Sequence, residues 1–425
     1  MSVTILKGTI VSAPALGKLE ITENGYLVAR DGRIEGVYPV LPEQYAGAFV
    51  EDFGSDLILQ TFSDLHLHAP QYPMLGMGMD LPLLDWLNAY AFPTEARFAD
   101  PDYARAVYRR LARELIAGGT TRVCMFSSLH RPATVILMEE LERAGITGYV
   151  GKVNMDRNAL PGVLEETAEE SIRETLQWLE ESAAFHHVKP MLTPRFIPSC
   201  SDEVLSFLGK LAAERDLPIQ SHLSENQAEM EWVRQLHPDC KQYWEAYAKF
   251  GLWNSRTVMA HCVWSDEWER QAMKNAGVTV VHCPDSNLNL CSGTAPVRTM
   301  LTGGVRVALG SDIAGGDHLD MFDVTAAAIR ASKIRCMTDP AVPAPLTVAE
   351  AWYLATSAGA EWFGEQPGFA PGNALHAMVL SDSALPHGKS LPPAQRLERA
   401  VYRRQPNALR AVYSAGRKVF EAPAD

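Results

Sequence analysis

Histidine and carboxylate side chains stand at the ends of several short apolar segments of this sequence. His66 and His68 follow residues 57–62, His222 and His261 end residues 218–222 and 256–261, and Asp312 follows residues 305–310. Imidazole nitrogens and carboxylate oxygens are protein ligands that Zn²⁺ accepts. Each residue alone has an ordinary structural explanation, such as a core histidine or a helix N-cap. Together, at the ends of converging strands, they predict one metal site.

The spacing within this set indicates how the metal is held. His66 and His68 are alternate residues of an extended segment, so their side chains share a face and can bind one ion together. Nitrogen and oxygen ligands together predict Zn²⁺ as the bound cation, with Fe²⁺ as the alternative. Three histidines and one carboxylate leave an open position for water, whose pKa falls to about 7 on zinc.

Glu225 stands three residues after His222, in His222-Leu-Ser-Glu225. At the start of a helical turn this spacing returns the carboxylate toward the metal, where it could carry protons between water and substrate. Motifs of other chemistries are absent: there is no Walker A sequence, no Gly-x-Ser-x-Gly, and no His-x-Glu with a later Pro-Cys-x-x-Cys.

Short apolar segments alternate with amphipathic ones along the chain. The predicted strands are residues 57–62, 121–126, 147–153, 188–193, 218–222, 256–261, 278–283 and 305–310, with predicted helices at 101–117, 164–184, 202–215 and 266–275. Alternation of this kind indicates a parallel sheet covered by helices. Eight such units predict an α/β fold of the (β/α)₈ TIM-barrel type over residues 58–364. A doubly wound open sheet is the rival architecture.

Both ends of the chain of 425 residues have a different pattern. Residues 1–57 alternate apolar and polar side chains and contain Asp31-Gly32 as a hairpin turn, and residues 365–425 have the same character. Two β-rich ends around an α/β centre predict a small composite β-sandwich domain made from both termini.

The composition argues against several classes of partner and indicates where the protein is located. The formal net charge is −13, which disfavours binding to nucleic acid or to an anionic membrane. No apolar run approaches the roughly 18 residues of a membrane-spanning helix. We read no signal peptide at the start, and the seven cysteines include no Cys-x-x-Cys pair. An odd number of scattered cysteines predicts free thiols rather than disulfides. Free thiols are typical of a reducing compartment, so we expect a cytoplasmic protein.

Consecutive motifs of the chain resemble those of the amidohydrolase superfamily, in its metal-dependent deaminase branch. They are His66-Leu-His-Ala-Pro-Gln71, Asp80-Leu-Pro-Leu-Leu-Asp-Trp-Leu87, Phe92-Pro-Thr-Glu95, Thr193-Pro-Arg-Phe196, Gln220-Ser-His-Leu-Ser-Glu-Asn226, Val258-Met-Ala-His261, His282-Cys-Pro-Asp-Ser-Asn287 and Gly310-Ser-Asp-Ile-Ala-Gly-Gly316. The narrower elements are similar to those of deaminases that act on guanine. The resemblance therefore implies hydrolysis at carbon 2 of guanine, a reaction of purine catabolism that yields xanthine and ammonia.

The resemblance also implies a role for each site residue. One zinc ion per subunit would be held by His66, His68, His222 and Asp312, and Asp312 would also take a proton from the attacking water. His261 would orient that water, and Glu225 would protonate the ring nitrogen beside the attacked carbon. Gln71, Arg195 and Phe196 would hold the purine. His282 and Asn287 are weaker candidates for supporting the site from behind its ligands, and each could equally be structural. Members of the family are usually dimers, so a homodimer is expected.

Two alternatives remain at the level of sequence. A sister deaminase would act on a pterin, an oxidised guanine or an aminotriazine, and Arg195 and Gln71 favour an oxo-purine without excluding these. A non-catalytic scaffold would keep the fold but lose metal ligands, whereas this chain retains the whole predicted ligand set and Glu225.

Overall fold

A computed structural model describes residues 2–386, 390–405 and 407–423 of the chain. Residues 1, 387–389, 406 and 424–425 belong to the predicted terminal domain and lie outside the described residues. Among the described residues, no helix combines the length and hydropathy that crossing a membrane requires.

The strands occur along the whole chain. They are β1 Val3–Ala15, β2 Lys18–Arg30, β3 Arg33–Tyr38, β4 Glu51–Gln60, β5 Phe62–His68, β6 Thr120–Phe126, β7 Thr147–Gly151, β8 Val153–Asn154, β9 Val188–Pro190, β10 Thr193–Pro194, β11 Ile219–Leu223, β12 Thr257–His261, β13 Thr279–His282, β14 Arg306–Leu309, β15 Ala377–Leu380, β16 Leu409–Ser414 and β17 Arg417–Glu421.

Helices connect most of the central strands. They are α1 Leu83–Trp86, α2 Phe92–Ala96, α3 Pro101–Ala117, α4 Arg131–Ala144, α5 Ala168–Ser182, α6 Asp202–Arg215, α7 Gln227–Leu236, α8 Tyr243–Lys249, α9 Glu267–Ala276, α10 Pro284–Asn289, α11 Val297–Gly303, α12 Met321–Thr338, α13 Val348–Ala355, α14 Ser357–Trp362 and α15 Pro393–Arg403. Short 3₁₀ turns lie at Glu43–Tyr45, Ala69–Met74, Arg97–Ala99 and Ile197–Ser199, and a π-helical turn at Leu87–Ala91 joins α1 to α2.

The centre of the molecule is built from parallel strands, which confirms the predicted α/β class. Within the described part of the chain, one four-stranded sheet has the order β5-β6-β7-β9 and a second has the order β11-β12-β13-β14, with all pairs parallel. The amide of Asp312 donates to the carbonyl of His66 over 2.8 Å, which joins the second sheet to β5. On the other side, Leu192 and Ile219 form an isolated parallel bridge.

The structure differs from the predicted closed (β/α)₈ barrel. The strands form two separate sheets and a short β8–β10 pair, and no continuous ladder closes around the described residues. The pairing of β7 with β9 ends at Val150 and Pro190, and just beyond it the amide of Met191 still donates to the carbonyl of Val150 over 2.8 Å.

The two chain ends meet in a single sheet rather than in the two packed sheets of a sandwich. Among the described residues this sheet has seven strands in the order β17-β16-β15-β4-β1-β2-β3. The predicted strand at 57–62 is divided between the two parts of the molecule. Ile58, Leu59 and Gln60 pair with β15 in the terminal sheet, whereas Phe62 begins β5 in the central sheet. The change of sheet therefore falls between Gln60 and Phe62, slightly later than the predicted boundary at 57/58.

Local sequence explains why the helices begin and end where they do. The side chain of Asp100 caps α3 by accepting from the amides of Asp102 and Tyr103, and Ser201 caps α6 by accepting from Val204. These oxygens satisfy helix N–H groups that have no partner within the helix. The apolar faces of both helices are buried in the largest hydrophobic cluster, which also contains central-strand side chains. The strands are thus held rigidly beneath the residues at their carboxyl ends.

Gly209 gives a test of this packing. It lies within α6, and a Cβ placed there would be 1.7 Å from the carbonyl oxygen of Phe250. Glycine-to-alanine changes in helices normally stabilise by up to about 1 kcal/mol. Because this position has no room, we expect Gly209→Ala to lower the free energy of unfolding by about 1–3 kcal/mol, the usual cost of overpacking.

Gly303 in α11 is the matched control, because a Cβ placed there would have no atom within 4 Å. The free energy of unfolding of both variants is measured by urea titration, and Gly303→Ala should be neutral or slightly stabilising. Equal stabilities for the two variants would contradict the close approach of α6 to the chain after α8.

Candidate active site

The histidines and the aspartate that the sequence singles out meet at one edge of the central sheets. His66 and His68 lie at the end of β5, His222 lies in β11, His261 ends β12, and Asp312 follows β14. Because all these strands are parallel, their carboxyl ends lie on the same side of the molecule. Tertiary structure therefore brings together residues that are up to 246 positions apart, from His66 to Asp312.

The ring nitrogens and carboxylate oxygens lie close together in two overlapping groups that share His66, one with His68 and Asp312 and one with His222 and His261. The Oδ1 atom of Asp312 lies 3.1 Å from Nε2 of His66 and 3.4 Å from Nε2 of His68. The Nε2 atoms of His68 and His222 are 3.1 Å apart. We call His66, His68, His222 and Asp312 the donor cluster.

The chemical state of the donor cluster suits a divalent cation. The Nδ1 atom of His222 lies 2.6 Å from the backbone carbonyl of Arg195, so its proton is on Nδ1 and the Nε2 lone pair is free. Nε2 of His66 is buried without a hydrogen-bond partner in the described structure. Burial lowers the pKa of His66, His68 and His222, which keeps these imidazoles neutral. Converging lone pairs without donors are what a metal ion satisfies.

Asp312 supplies the negative charge of the cluster. Burial opposes its ionisation, but the neighbouring His66, His261 and His68 hold the pKa of the Asp312 carboxyl well below its usual range. Its Oδ2 atom also lies 3.7 Å from Nε2 of His261. Asp312 is therefore ionised, as a carboxylate metal ligand must be.

Asp64 supports this arrangement and was not identified from the sequence. Its carboxylate is completely buried and accepts from the amide of Ser311 over 3.0 Å and from the Ser311 hydroxyl over 2.5 Å. It also accepts from the amide of His66 over 3.3 Å. Asp64 thus ties the backbone beside one ligand, Asp312, to the backbone of another, His66. The available signal was an aspartate two residues before the His-x-His pair.

Glu225 and His261 lie beside the donor cluster. Oε2 of Glu225 is 3.4 Å from Nε2 of His261, and Oε1 accepts from the Ser292 hydroxyl over 3.2 Å. Burial raises the pKa of Glu225 to about 7, although His261 opposes the shift. Burial lowers the pKa of His261, but the carboxylates of Glu225 and Asp312 outweigh this effect and raise it. Glu225 can therefore exist in both protonation states near neutral pH, as a proton shuttle requires.

The two weaker candidates have different surroundings. Oδ1 of Asn287 lies 2.9 Å from Nδ1 of His261, so Asn287 orients that imidazole. His282 is buried, its Nδ1 has no hydrogen-bond partner in the described structure, and burial lowers its pKa to about 3. His282 is therefore a neutral histidine beside the site.

Glu229 is a further residue that sequence reasoning missed. One oxygen accepts from the backbone amide of Glu225 over 3.0 Å, and the other accepts from the Tyr243 hydroxyl over 2.6 Å. The same glutamate forms the capping box of α7 with Asn226. The signal available was Asn226 followed by glutamate three residues later, which predicts a helix start but no role in the site.

A solvent-connected cavity adjoins the donor cluster. The predicted purine-binding residues Gln71, Arg195 and Phe196 all line it. Its apolar wall consists of Leu83, Trp86, Leu87 and Leu290. A concave, mostly apolar space with a few polar groups is typical of a small-molecule site.

Known proteins are similar to this chain over most of its length. The model of the amidohydrolase family matches residues 57–412. The guanine deaminase of Dictyostelium discoideum is 37% identical over 378 residues, covering 84% of this chain and 84% of that protein. The guanine deaminase of Rattus norvegicus is 40% identical over 326 residues, covering 76% and 72%.

A solved structure is similar over nearly the full length. The crystal structure of guanine deaminase from C. acetobutylicum, with guanine bound in its active site, has a TM-score of 0.96 and 41% sequence identity. The match covers 99% of this chain and 100% of the other. The similarity therefore includes the terminal sheet as well as the strands that carry the site.

The donor cluster gives a direct test of metal binding. His68→Ala removes one ligand from a set of four, so we expect metal content and activity to fall together while the fold survives on its apolar core. Elemental analysis of the purified protein, with circular dichroism for the fold, measures both. His237→Ala is a matched control, because His237 is equally buried but lies outside the donor cluster. Full metal content in His68→Ala would disprove the ligand assignment.

Proposed function

The chain belongs to the amidohydrolase family, and we propose that it deaminates guanine by hydrolysis, giving xanthine and ammonia. The observation that carries this proposal is the cavity itself, where the donor cluster and the buried Glu225 face Gln71, Arg195 and Phe196. Relatives named guanine deaminase, one of them with guanine in its active site, support the choice of substrate.

We assign the donor cluster to one zinc ion per subunit, with Fe²⁺ as the alternative. Three neutral imidazoles and one carboxylate form a set of nitrogen and oxygen ligands. Such a set binds Zn²⁺ in preference to Mg²⁺ or Ca²⁺. When bound, zinc supplies a Lewis acid that makes water a stronger acid.

The protein's own groups then manage the protons of the reaction. Asp312, whose carboxyl is ionised, accepts a proton from the water that attacks carbon 2 of guanine. His261, held by Asn287 over 2.9 Å, orients that water. Glu225 donates a proton to the ring nitrogen next to carbon 2, which avoids a buried negative charge. The proton taken by Asp312 then passes to the amino nitrogen, the bond from carbon 2 to that nitrogen breaks and ammonia leaves, while the hydroxyl on carbon 2 returns a proton to Glu225 and becomes the carbonyl of xanthine.

We infer that the central strands follow the (β/α)₈ arrangement of the family without one continuous ladder, and that the protein is a cytoplasmic homodimer acting in purine catabolism. The resemblance to the family supports them. Gel filtration with light scattering would test the oligomeric state.

The rival substrates are pterins, oxidised guanines and aminotriazines. An ammonia-release assay with guanine, 8-oxoguanine, pterin, melamine, adenine and cytosine distinguishes them. We expect guanine to have the highest kcat/KM. A preference for any other compound would overturn the proposed substrate, and no ammonia release at full metal occupancy would favour a non-catalytic scaffold.

Glu225→Gln tests the proton shuttle. Glutamine keeps the size and hydrogen-bonding capacity of the side chain but cannot transfer a proton. We expect bound metal to be unchanged and kcat to fall by at least about 10²-fold, within the range that general acid–base groups contribute. Turnover within about threefold of the wild-type rate would mean that another group carries the proton.

Arg195 gives a prediction about specificity. Its guanidinium has only donors, which match the oxo group at position 6 of guanine but oppose the amino group that 2,6-diaminopurine carries there. A site built around a polar partner rejects analogues that lack it by about 10⁴–10⁵-fold. We therefore expect kcat/KM for 2,6-diaminopurine, which keeps the reactive 2-amino group, to be lower by at least about 10³-fold.

Arg195→Ala should reduce this ratio, mainly by weakening the reaction of guanine. Measuring kcat/KM for both purines in the wild type and the variant decides the question. An unchanged ratio would remove Arg195 from the substrate site.

A further inference from the structure

A buried glutamate behind the cavity contacts two of the predicted purine-binding residues. Glu95 lies in α2, is 2% exposed and does not line the cavity itself. Its Oε1 atom accepts from Nε2 of Gln71 over 2.8 Å and from Nη2 of Arg195 over 3.0 Å. Its Oε2 atom accepts from Nη1 of Arg195 over 2.6 Å. One carboxylate therefore determines how two polar side chains of the cavity wall are oriented.

The contacts of Gln71 leave only one orientation for its amide. The Oε1 atom accepts from the backbone amide of Ala314 over 2.9 Å, while Nε2 donates to Glu95. A backbone N–H can only donate and an ionised carboxylate can only accept, so a flipped amide would lose both hydrogen bonds. Gln71 consequently has one N–H left for a ligand and directs its carbonyl oxygen toward Ala314.

The contacts of Arg195 likewise hold its guanidinium in one orientation. Its side chain and that of Glu95 are 4% and 3% exposed, and the pair is bidentate. The guanidinium also lies 5.0 Å from the centre of the Phe92 ring, on the helix that carries Glu95. Two of its five N–H groups are used by Glu95, and the others remain as donors. Without Glu95, the guanidinium would be an uncompensated buried cation, which is strongly unfavourable.

We propose that Glu95 is a positioning residue that makes this wall of the cavity donate hydrogen bonds only and thereby determines which purines are accepted. This inference rests on the proposed function and extends it from Arg195 to the carboxylate behind it. Guanine has two neighbouring acceptors, O6 and N7, on one edge. A 6-amino purine has a donor in place of O6. Donors fixed on Gln71 and Arg195 would match the first edge and oppose the second.

The test compares guanine with 2,6-diaminopurine in Glu95→Gln. A glutamine has one oxygen where the carboxylate has two, so its NH₂ group must face a donor of Gln71 or Arg195. We expect the guanine-to-diaminopurine ratio of kcat/KM to fall by at least about 10-fold, a fraction of the discrimination that a fixed polar partner provides. The loss should appear in KM for guanine, with kcat within about threefold, because ground-state and transition-state binding weaken together.

Asp382→Asn is the matched control for a general loss of stability. Asp382 and Arg396 form another buried bidentate pair, with side chains 2% and 3% exposed and contacts of 2.7 and 2.8 Å. Removing this carboxylate should lower the melting temperature but leave the purine ratio unchanged. A similar fall in the ratio for Asp382→Asn would mean that any weakened core changes specificity, and it would overturn the proposal.

A double variant shows whether Glu95 acts through Arg195. In an Arg195→Met background, Glu95→Gln should change the ratio much less than in the wild type, since interacting residues are not additive and only the contact with Gln71 remains. An unchanged ratio in Glu95→Gln alone, or an equally large change in both backgrounds, would contradict the inference.

A second variant and the activity of the wild type separate a folding defect, a wrong substrate and a wrong role for Glu95. If Glu95→Gln does not fold, Glu95→Asp retains the charge but shortens the reach by one methylene, and the same fall in the ratio is expected. A wild-type enzyme that does not deaminate guanine would contradict the proposed function. A wild-type enzyme that does, combined with an unchanged ratio in the Glu95 variants, would contradict the role of Glu95 alone.

Discussion

The buried carboxylate of Asp312 is the group on which the rest of the site depends. A carboxylate removed from water requires donors or positive charge nearby. Here its oxygens lie 3.1 Å and 3.4 Å from Nε2 of the neutral His66 and His68, and 3.7 Å from His261, whose raised pKa favours a positive charge. The backbone at the same point joins the two central sheets, because the amide of Asp312 donates to the carbonyl of His66. The contacts that hold the charge therefore also hold the sheets in register.

Several other acids are buried around this centre, and their different partners give them different properties. Glu95 faces the guanidinium of Arg195, and Glu229 accepts from a backbone amide and from the Tyr243 hydroxyl. Glu225 accepts a side-chain hydrogen bond from Ser292 alone among the described residues. Burial can therefore raise the pKa of Glu225 to about 7. Glu225 also lines the cavity, so a carboxyl that titrates near neutral pH lies where a proton shuttle is needed.

The differences between the predicted and observed folds have local physical causes. The segment 57–62 is apolar over most of its length, so its composition does not show where one sheet ends and the next begins. Pairing decides this: Gln60 is opposite Ala377, whereas Phe62 is opposite Thr120. The pairing of β7 with β9 ends with Pro190 opposite Val150, and the sequence does not show that the two residues are paired. Whether the terminal strands form one sheet or two likewise depends on long-range pairing.

The sequence by itself determined the α/β alternation, the caps of helices such as α3 and α6, and the residue types gathered at the strand ends, because these follow from local periodicity and from the chemistry of side chains. Tertiary structure decided which of those side chains touch. Local sequence did not reveal what Asp64, Glu95 and Glu229 contact, since their partners Ser311, Arg195 and Tyr243 come from other elements. A buried charge is compensated by whatever donor the folded chain places beside it, and that choice is made by packing over long sequence separations.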